Sequence, residues 1–130
     1  MAKRNTSQRR AIREAFTQTD RPLSTHEVLM ASQKQKPGLG IATVYRTLKL
    51  LLASGWLTIV KLPGAPPRYE IAGKPHHHHF YCNECGRVFE IPGCPVLLSN
   101  LVPEGFDLQE HDLVLYGTCP SCGQDANQKP

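Results

Sequence analysis

Residues 76–86 read HHHHFYCNECG, and residues 119–123 read CPSCG. Each segment holds two cysteines that are separated by two residues and followed by a glycine, so both thiolates of a pair can point at one ion. Four thiolates suit Zn²⁺ in a closed structural site, where every ligand position is filled. The spacing therefore predicts a structural zinc with the ligands Cys82, Cys85, Cys119 and Cys122. Disulfides or a redox-active thiol pair are the alternatives.

The start of the chain favours metal over disulfides. Residues 1–10, MAKRNTSQRR, are basic, and the apolar segment of a secretory signal does not follow them. No apolar run approaches the length needed to cross a bilayer. We therefore expect a cytoplasmic protein without membrane contact, where thiols stay reduced. We do not expect an enzyme, because a zinc hydrolase or deaminase needs an open zinc position and a nearby glutamate base.

The net charge of +4 hides an uneven distribution of charge along the 130 residues. Residues 1–74 contain 13 Lys and Arg against 4 Asp and Glu, whereas residues 75–130 contain 2 against 7. The basic half is suited to bind a nucleic acid, because each phosphate that a Lys or Arg neutralises releases the counterions condensed on it. The division predicts two parts of the chain with different partners.

The basic half shows three helical patterns and then two strands. Apolar residues recur at helical spacing, and Ser24 to Glu27 form a capping-box pattern. The helices are expected at 7–17, from residue 25, and at 42–54, and the strands at 56–60 and 68–71. This order predicts a winged helix-turn-helix, whose third helix enters the major groove of double-stranded DNA. On that helix Thr43, Tyr45 and Arg46 could contact bases and phosphates, although core packing alone also explains an amphipathic helix.

The second half is expected to form a small α/β domain around the cysteine pairs. Short strands are predicted at 79–81, 88–91 and 113–116, and a short helix at 96–101. The expected division is a DNA-binding domain over 1–72, a hinge over 73–76, a dimerisation and metal-binding domain over 77–123, and a disordered tail over 124–130. The fold class is α+β.

Four consecutive histidines precede the first cysteine pair. In an extended strand alternate side chains face opposite ways, so His76 and His78 share one face and His77 and His79 share the other. One strand could thus supply ligands to two metal sites. An expression tag or a solvated polar loop would explain the same run without metal.

The sequence resembles the ferric uptake regulator (Fur) family over nearly its whole length. The matching segments are residues 6–10, 41–48, 76–86 with Val88 and Glu90, and 115–119. The resemblance implies a homodimeric repressor that binds an AT-rich, roughly palindromic operator when its regulatory metal is bound.

The family pattern also assigns individual residues. The four cysteines match structural zinc ligands, Tyr45 and Arg46 match the DNA-contacting pair, and Arg4 matches a basic residue that reaches the minor groove. The pattern implies a hinge metal site made by Glu70, His77, His79 and Glu90. It implies a second regulatory site that includes His76, His78 and His111.

Two departures from the family pattern bear on the choice of metal. Pro22 occupies the place of a histidine that iron and peroxide sensors contribute from the DNA-binding domain, and His26 is not in register with it. The stretch after Glu90 is short, which aligns Cys94 with a glutamate of the second site. One thiolate and three imidazoles favour Zn²⁺ over Fe²⁺ or Mn²⁺, although Cys94 could instead be a small buried loop residue.

The sequence therefore predicts a metal-responsive, DNA-binding repressor of metal homeostasis genes, with zinc as the favoured regulatory metal. An iron, manganese or peroxide sensor of the same family is the alternative. A zinc-ribbon adaptor without a sensing role is a remote alternative, in which the histidines only buffer metal.

Overall fold

The computed structural model describes residues 2–94 and 98–127. The chain divides into two compact units, Met1–Gly73 (the first unit) and Lys74–Pro130 (the second unit). Both units contain helix and strand, which confirms the α+β class predicted from the sequence. No helix among the described residues is long and apolar enough to cross a bilayer.

The first unit contains three helices followed by a two-stranded hairpin. Its elements are α1 (Ala2–Thr19), α2 (Thr25–Gln33), α3 (Ile41–Ala53), β1 (Leu57–Val60) and β2 (Arg68–Ile71). The strands are antiparallel, and Leu57 lies opposite Ile71. An isolated bridge between Leu23 and Tyr69 ties the segment before α2 to the hairpin. This is the element order predicted for a winged helix, with α1 longer at both ends than expected.

The capping box fixes the start of α2, as predicted. The backbone N–H of Glu27 donates to Ser24 Oγ at 3.1 Å, and the backbone N–H of Ser24 donates to Glu27 Oε1 at 3.0 Å. The second carboxylate oxygen of Glu27 accepts a hydrogen bond from Arg21 at 2.7 Å. These contacts satisfy donors that the first turn of a helix leaves without intrahelical partners.

The inward faces of the three helices and β1 form the hydrophobic core of the first unit. Phe16 is almost fully buried and meets Trp56 edge-on, with ring centroids 6.2 Å apart. The apolar spacing of Val44, Leu48, Leu51 and Leu52 predicts an inward stripe on α3, and the structure buries the first three and leaves Leu52 half-buried. The cluster comprises Ile12, Ala15, Phe16, Leu23, Val28, Leu39, Val44, Leu48, Leu51 and Leu57.

The second unit is built on a three-stranded sheet. Its elements are β3 (His77–Cys82), β4 (Val88–Pro92), a 3₁₀ helix (Leu98–Leu101), β5 (Val114–Gly117) and α4 (Pro120–Asn127). The strand order is β4-β3-β5, with β3 antiparallel to β4 and parallel to β5. Because β3 is the central strand, its histidines have neighbours on both β4 and β5.

Two expectations for the second unit differ from the structure. The predicted helix at 96–101 is a 3₁₀ helix from Leu98, and residues 95–97 lie outside the described residues. The tail predicted to be disordered from residue 124 is helical as far as Asn127, because α4 begins at Pro120, directly after Cys119, and continues past Cys122. Residues 128–130 lie outside the described residues.

Candidate metal centres and nucleic-acid interface

The four predicted zinc ligands come together at one end of the three-stranded sheet. Their sulfur atoms all lie within 4.8 Å of one another, and those of Cys85 and Cys119 are 3.8 Å apart. Each pair is held by a tight turn, in which the N–H of Gly86 donates to the carbonyl of Cys82 and that of Gly123 to the carbonyl of Cys119. Gly86 has φ +75°, a conformation that glycine adopts without strain.

The chemistry of this cluster fits zinc rather than disulfides. All four thiols are free, and a tetrahedron with Zn–S bonds of about 2.3 Å has edges of roughly 3.8 Å. The backbone N–H of Cys85 is the main cause that lowers the pKa of Cys82 to about 6, against the opposing effect of burial. The N–H of Cys119 also donates to Cys82 Sγ, at 3.3 Å. These donors stabilise the Cys82 thiolate, whereas burial raises the pKa of Cys85 and the hydrogen bond with Cys119 raises the pKa of Cys122 to about 12.

A second cluster joins three histidines and a cysteine in the second unit. The Nε2 atom of His76 lies 3.1 Å from that of His78 and 3.1 Å from that of His111, and the last two are 3.2 Å apart. Cys94 Sγ lies 3.4 Å from His111 Nε2. His78 is buried, with 2% of its surface exposed. The structure thus brings together the four residues His76, His78, Cys94 and His111.

The three imidazole nitrogens form a triangle that hydrogen bonding cannot satisfy. A ring nitrogen either carries a proton or offers a lone pair. Three mutual contacts therefore cannot all be donor–acceptor pairs. At least one of them places two N–H donors, or two lone pairs, against each other. A shared cation that accepts all three lone pairs removes this conflict. Burial lowers the pKa of His78 below its ordinary value, and repulsion by His76 and His111 lowers it further, which favours the neutral, metal-binding ring.

The donor distances test which ion suits this cluster. With Zn–N bonds of about 2.0–2.1 Å and a Zn–S bond of about 2.3 Å, a tetrahedron has edges of roughly 3.3–3.4 Å between nitrogens and roughly 3.5–3.6 Å between nitrogen and sulfur. The observed distances of 3.1 to 3.2 Å and 3.4 Å are close to these values. The four residues therefore fit a four-coordinate metal ion that accepts imidazole and thiolate ligands.

The opposite face of β3 carries the other two histidines. The rings of His77 and His79 have centroids 4.9 Å apart, which confirms the predicted alternation of the histidine run. Glu90 on β4 lies directly opposite His79, so their side chains share that face. The carboxylate of Glu90 forms an ion pair with the ammonium of Lys74, a partner that the sequence pattern does not reveal.

One residue of the predicted hinge site, Glu70, belongs to the first unit, as do Pro22 and His26, which bear on the histidine that the family pattern expects there. Glu70 lies on β2 and is buried, with 4% of its surface exposed. Pro22 is buried, and His26 is exposed on α2. The assignment of Glu70, His77, His79 and Glu90 as ligands of one metal stays a prediction.

The N-terminal half of α3 presents the residues predicted to read DNA. Tyr45 has 58% of its surface exposed, and Arg46 is exposed and donates to Thr43 Oγ1 at 3.1 Å. Arg4 lies in the first turns of α1, and its side chain is outside the described part of the structure. A single groove contains Tyr45 together with residues that no sequence motif singled out for DNA contact, namely Ser24, Thr25, His26, Pro66, Pro67, Arg68 and Tyr69. The capping box signalled the start of α2 in the sequence, but no local pattern places that start beside α3.

A family model described as the Ferric uptake regulator family matches residues 1–116. The chain belongs to this family. A ferric uptake regulation protein from Campylobacter jejuni is 35% identical over 130 residues, with 95% of this chain and 80% of the relative covered. A solved structure named zinc-bound manganese uptake regulator has a TM-score of 0.78 and 31% identity, covering 86% of this chain and 87% of that one. FurB from M. tuberculosis, named a zinc uptake regulator, has a TM-score of 0.51 and 29% identity, covering 92% and 95%.

Membership of the Fur family establishes the general role of the chain. It is a metal-responsive, DNA-binding transcription regulator and not an enzyme. The two clusters of potential metal ligands in the second unit agree with this role. The family includes regulators named for iron, manganese and zinc, so family membership leaves the regulatory metal open.

Proposed function

We propose that this Fur-family protein is a zinc-responsive repressor of metal homeostasis genes. The observation that carries the proposal is the donor set of the second cluster, in which three imidazole nitrogens and one thiolate meet at tetrahedral distances. Soft thiolate and borderline imidazole ligands with four-coordinate geometry favour Zn²⁺, whereas Fe²⁺ and Mn²⁺ favour more oxygen ligands and six-coordination. The cysteine cluster would hold a separate structural zinc.

The hinge residues provide a route from metal to DNA. The family pattern assigns Glu70 on β2 and His77 and His79 on β3 to one site, with Glu90 as a further ligand. A metal held by ligands from both units would restrict the hinge at residues 73–76. Such a metal shifts the population toward the DNA-binding arrangement only by its difference in affinity between the two arrangements.

The proposed target is an AT-rich, roughly palindromic operator bound by a homodimer in the cytoplasm. Two-fold symmetry of the dimer matches two half-sites in successive major grooves. In each subunit, Thr43, Tyr45 and Arg46 are exposed or half-buried on α3 and available to the major groove. Arg4 is assigned to the minor groove by the family pattern.

A metal titration of operator binding tests this proposal. Protein that keeps its structural zinc is titrated anaerobically with Zn²⁺, Mn²⁺ or Fe²⁺ at buffered free concentrations, and operator affinity is measured by fluorescence anisotropy. We expect Zn²⁺ to activate binding at the lowest free concentration. Cys94→Ser should require about tenfold or more free Zn²⁺, because the site loses its thiolate ligand. If Fe²⁺ or Mn²⁺ activates at lower free concentration and Cys94→Ser behaves like the wild type, zinc sensing is wrong.

An iron- or manganese-responsive repressor is the second candidate. Relatives named for iron or manganese include the Campylobacter protein and the manganese uptake regulator. The nitrogen and oxygen ligands proposed at the hinge also suit these metals. In the same titration this candidate predicts activation through His77 and His79, with little effect of Cys94→Ser.

A further inference from the structure

Lys74 is the first residue of the second unit, and its ammonium pairs with the carboxylate of Glu90. Both side chains are largely shielded from solvent, with 20% and 21% of their surfaces exposed. Glu90 is the cross-strand neighbour of His79, and His77 lies two residues away on the same face of β3. The one carboxylate that β4 presents beside these two histidines is therefore bound to a cation from the chain itself.

We propose that Lys74 is a selectivity residue, which competes with a metal at His77 and His79 for the Glu90 carboxylate and thereby disfavours Mn²⁺ and Fe²⁺ relative to Zn²⁺. This inference rests on the proposed hinge site. It adds a residue that the family pattern does not assign to any metal.

The selectivity follows from what each ion requires of the site. Mn²⁺ and Fe²⁺ prefer carboxylate oxygens and higher coordination numbers, so losing one carboxylate costs them more. Zn²⁺ is satisfied by four ligands and binds imidazole well. To recruit Glu90, a metal must first break a charge-assisted hydrogen bond that solvent only partly replaces. This cost is the same for every ion that binds Glu90. Zn²⁺ depends less on the carboxylate and loses less without it, whereas Mn²⁺ and Fe²⁺ must either bear the cost or lose a ligand that they prefer.

An ordinary structural ion pair is the competing explanation, and it makes a different prediction. If the pair only stabilises the sheet, removal of either partner should change stability slightly and leave the ratio of metal affinities unaltered. If Lys74 competes with metal, removing it should free Glu90 and strengthen Mn²⁺ binding. That gain must vanish when Glu90 is also replaced, because the carboxylate is its source.

The experiment measures Mn²⁺ and Zn²⁺ affinities in the full chain with the structural zinc retained. A His111→Ala background weakens the second cluster, and a His77→Ala variant identifies binding at the hinge. Free Mn²⁺ is measured by electron paramagnetic resonance, and Zn²⁺ by competition with a fluorescent chelator. The variants are Lys74→Met, which keeps much of the apolar stem, Lys74→Arg, which keeps the charge, Glu90→Gln, and the double variant Lys74→Met/Glu90→Gln.

We expect Lys74→Met to raise Mn²⁺ affinity about tenfold relative to Zn²⁺ affinity, at the lower end of outer-shell effects on metal sites. Lys74→Arg should resemble the parent, and the double variant should lose the gain. The proposal is overturned if Lys74→Met leaves the affinity ratio unchanged, or if the gain persists in the double variant. It is also overturned if Glu90→Gln alone weakens Zn²⁺ binding as much as it weakens Mn²⁺ binding. If His77→Ala has no effect on any metal, the hinge site of the proposed function fails as well.

Discussion

Replacing Cys82 with serine should unfold the second unit while the first unit stays folded. Among residues whose burial is described, the buried apolar side chains of the second unit are Cys82, Val88 and Cys119, and two of these are proposed zinc ligands. The core cluster described for the first unit contains ten residues, all of them between Ile12 and Leu57. The two units therefore depend on different sources of stability.

The expected loss of stability in the second unit follows from this contrast. Burial of Val88 contributes about 2 kcal/mol, which is small beside the conformational entropy of about 1–2 kcal/mol for each ordered residue. A structural zinc in small peptides contributes apparent values of about 10–16 kcal/mol at neutral pH, and typical domains are stable by only about 5–15 kcal/mol. Loss of one buried thiolate should therefore remove enough metal affinity to unfold the second unit at room temperature.

Separate signals can follow the two units. Trp56 is the single tryptophan of the chain and packs against Phe16, so its fluorescence reports on the first unit. Zinc content is measured with a chromogenic chelator, and the oligomeric state by sedimentation. We expect Cys82→Ser to lose zinc and dimerisation together and to keep the cooperative urea transition of Trp56. Cys94→Ser, outside the cysteine cluster, is the matched control and should keep the structural zinc. A Cys82→Ser protein that remains a zinc-loaded dimer would refute the reasoning.

Three further predictions concern the first unit. Tyr45→Ala should weaken binding to the operator more than binding to unrelated DNA, and Arg46→Ala should lower the slope of log affinity against log salt by about one if it contacts phosphate; unchanged affinity in both would remove α3 from the groove. Ser24→Ala should cost about 1 kcal/mol through loss of the capping box, measured by urea unfolding of Trp56 fluorescence, and no change would show that the cap is redundant. Leu48→Ala should cost about 2–5 kcal/mol in the same assay, and a loss below about 1 kcal/mol would contradict its core position.

Local patterns in the sequence were sufficient for the elements of the first unit. The spacing of Val44, Leu48 and Leu51 predicted the buried face of α3, because a helix repeats about every 3.6 residues. The capping box placed the start of α2 for the same kind of local reason. The ends of α1 were placed less well, since helix ends depend on contacts beyond the repeating pattern. The helix α4 was missed, because its residues from 124 onward were expected to be disordered.

The histidine run shows where local pattern stops being sufficient. Alternation along a strand divided the four rings between two faces, and the structure has this division. The residues that complete each face come from elsewhere. The resemblance to the Fur family suggested Cys94 and His111, and the structure supplies the physical reason for His111. Because β5 runs parallel to β3 with Val114 beside His79, the residues before β5 arrive next to the residues before β3.

The sequence by itself determined the two cysteine pairs, the helical stripes and the alternation of the histidines, since each depends on spacing over a few residues. Only the tertiary structure decided that Lys74 pairs with Glu90, 16 residues away, and that Cys94 meets His111, 17 residues away. The tertiary structure also decided that the start of α2 and the wing share a groove with Tyr45. These contacts depend on strand order, register and the paths of loops, which bring together side chains that no local period relates.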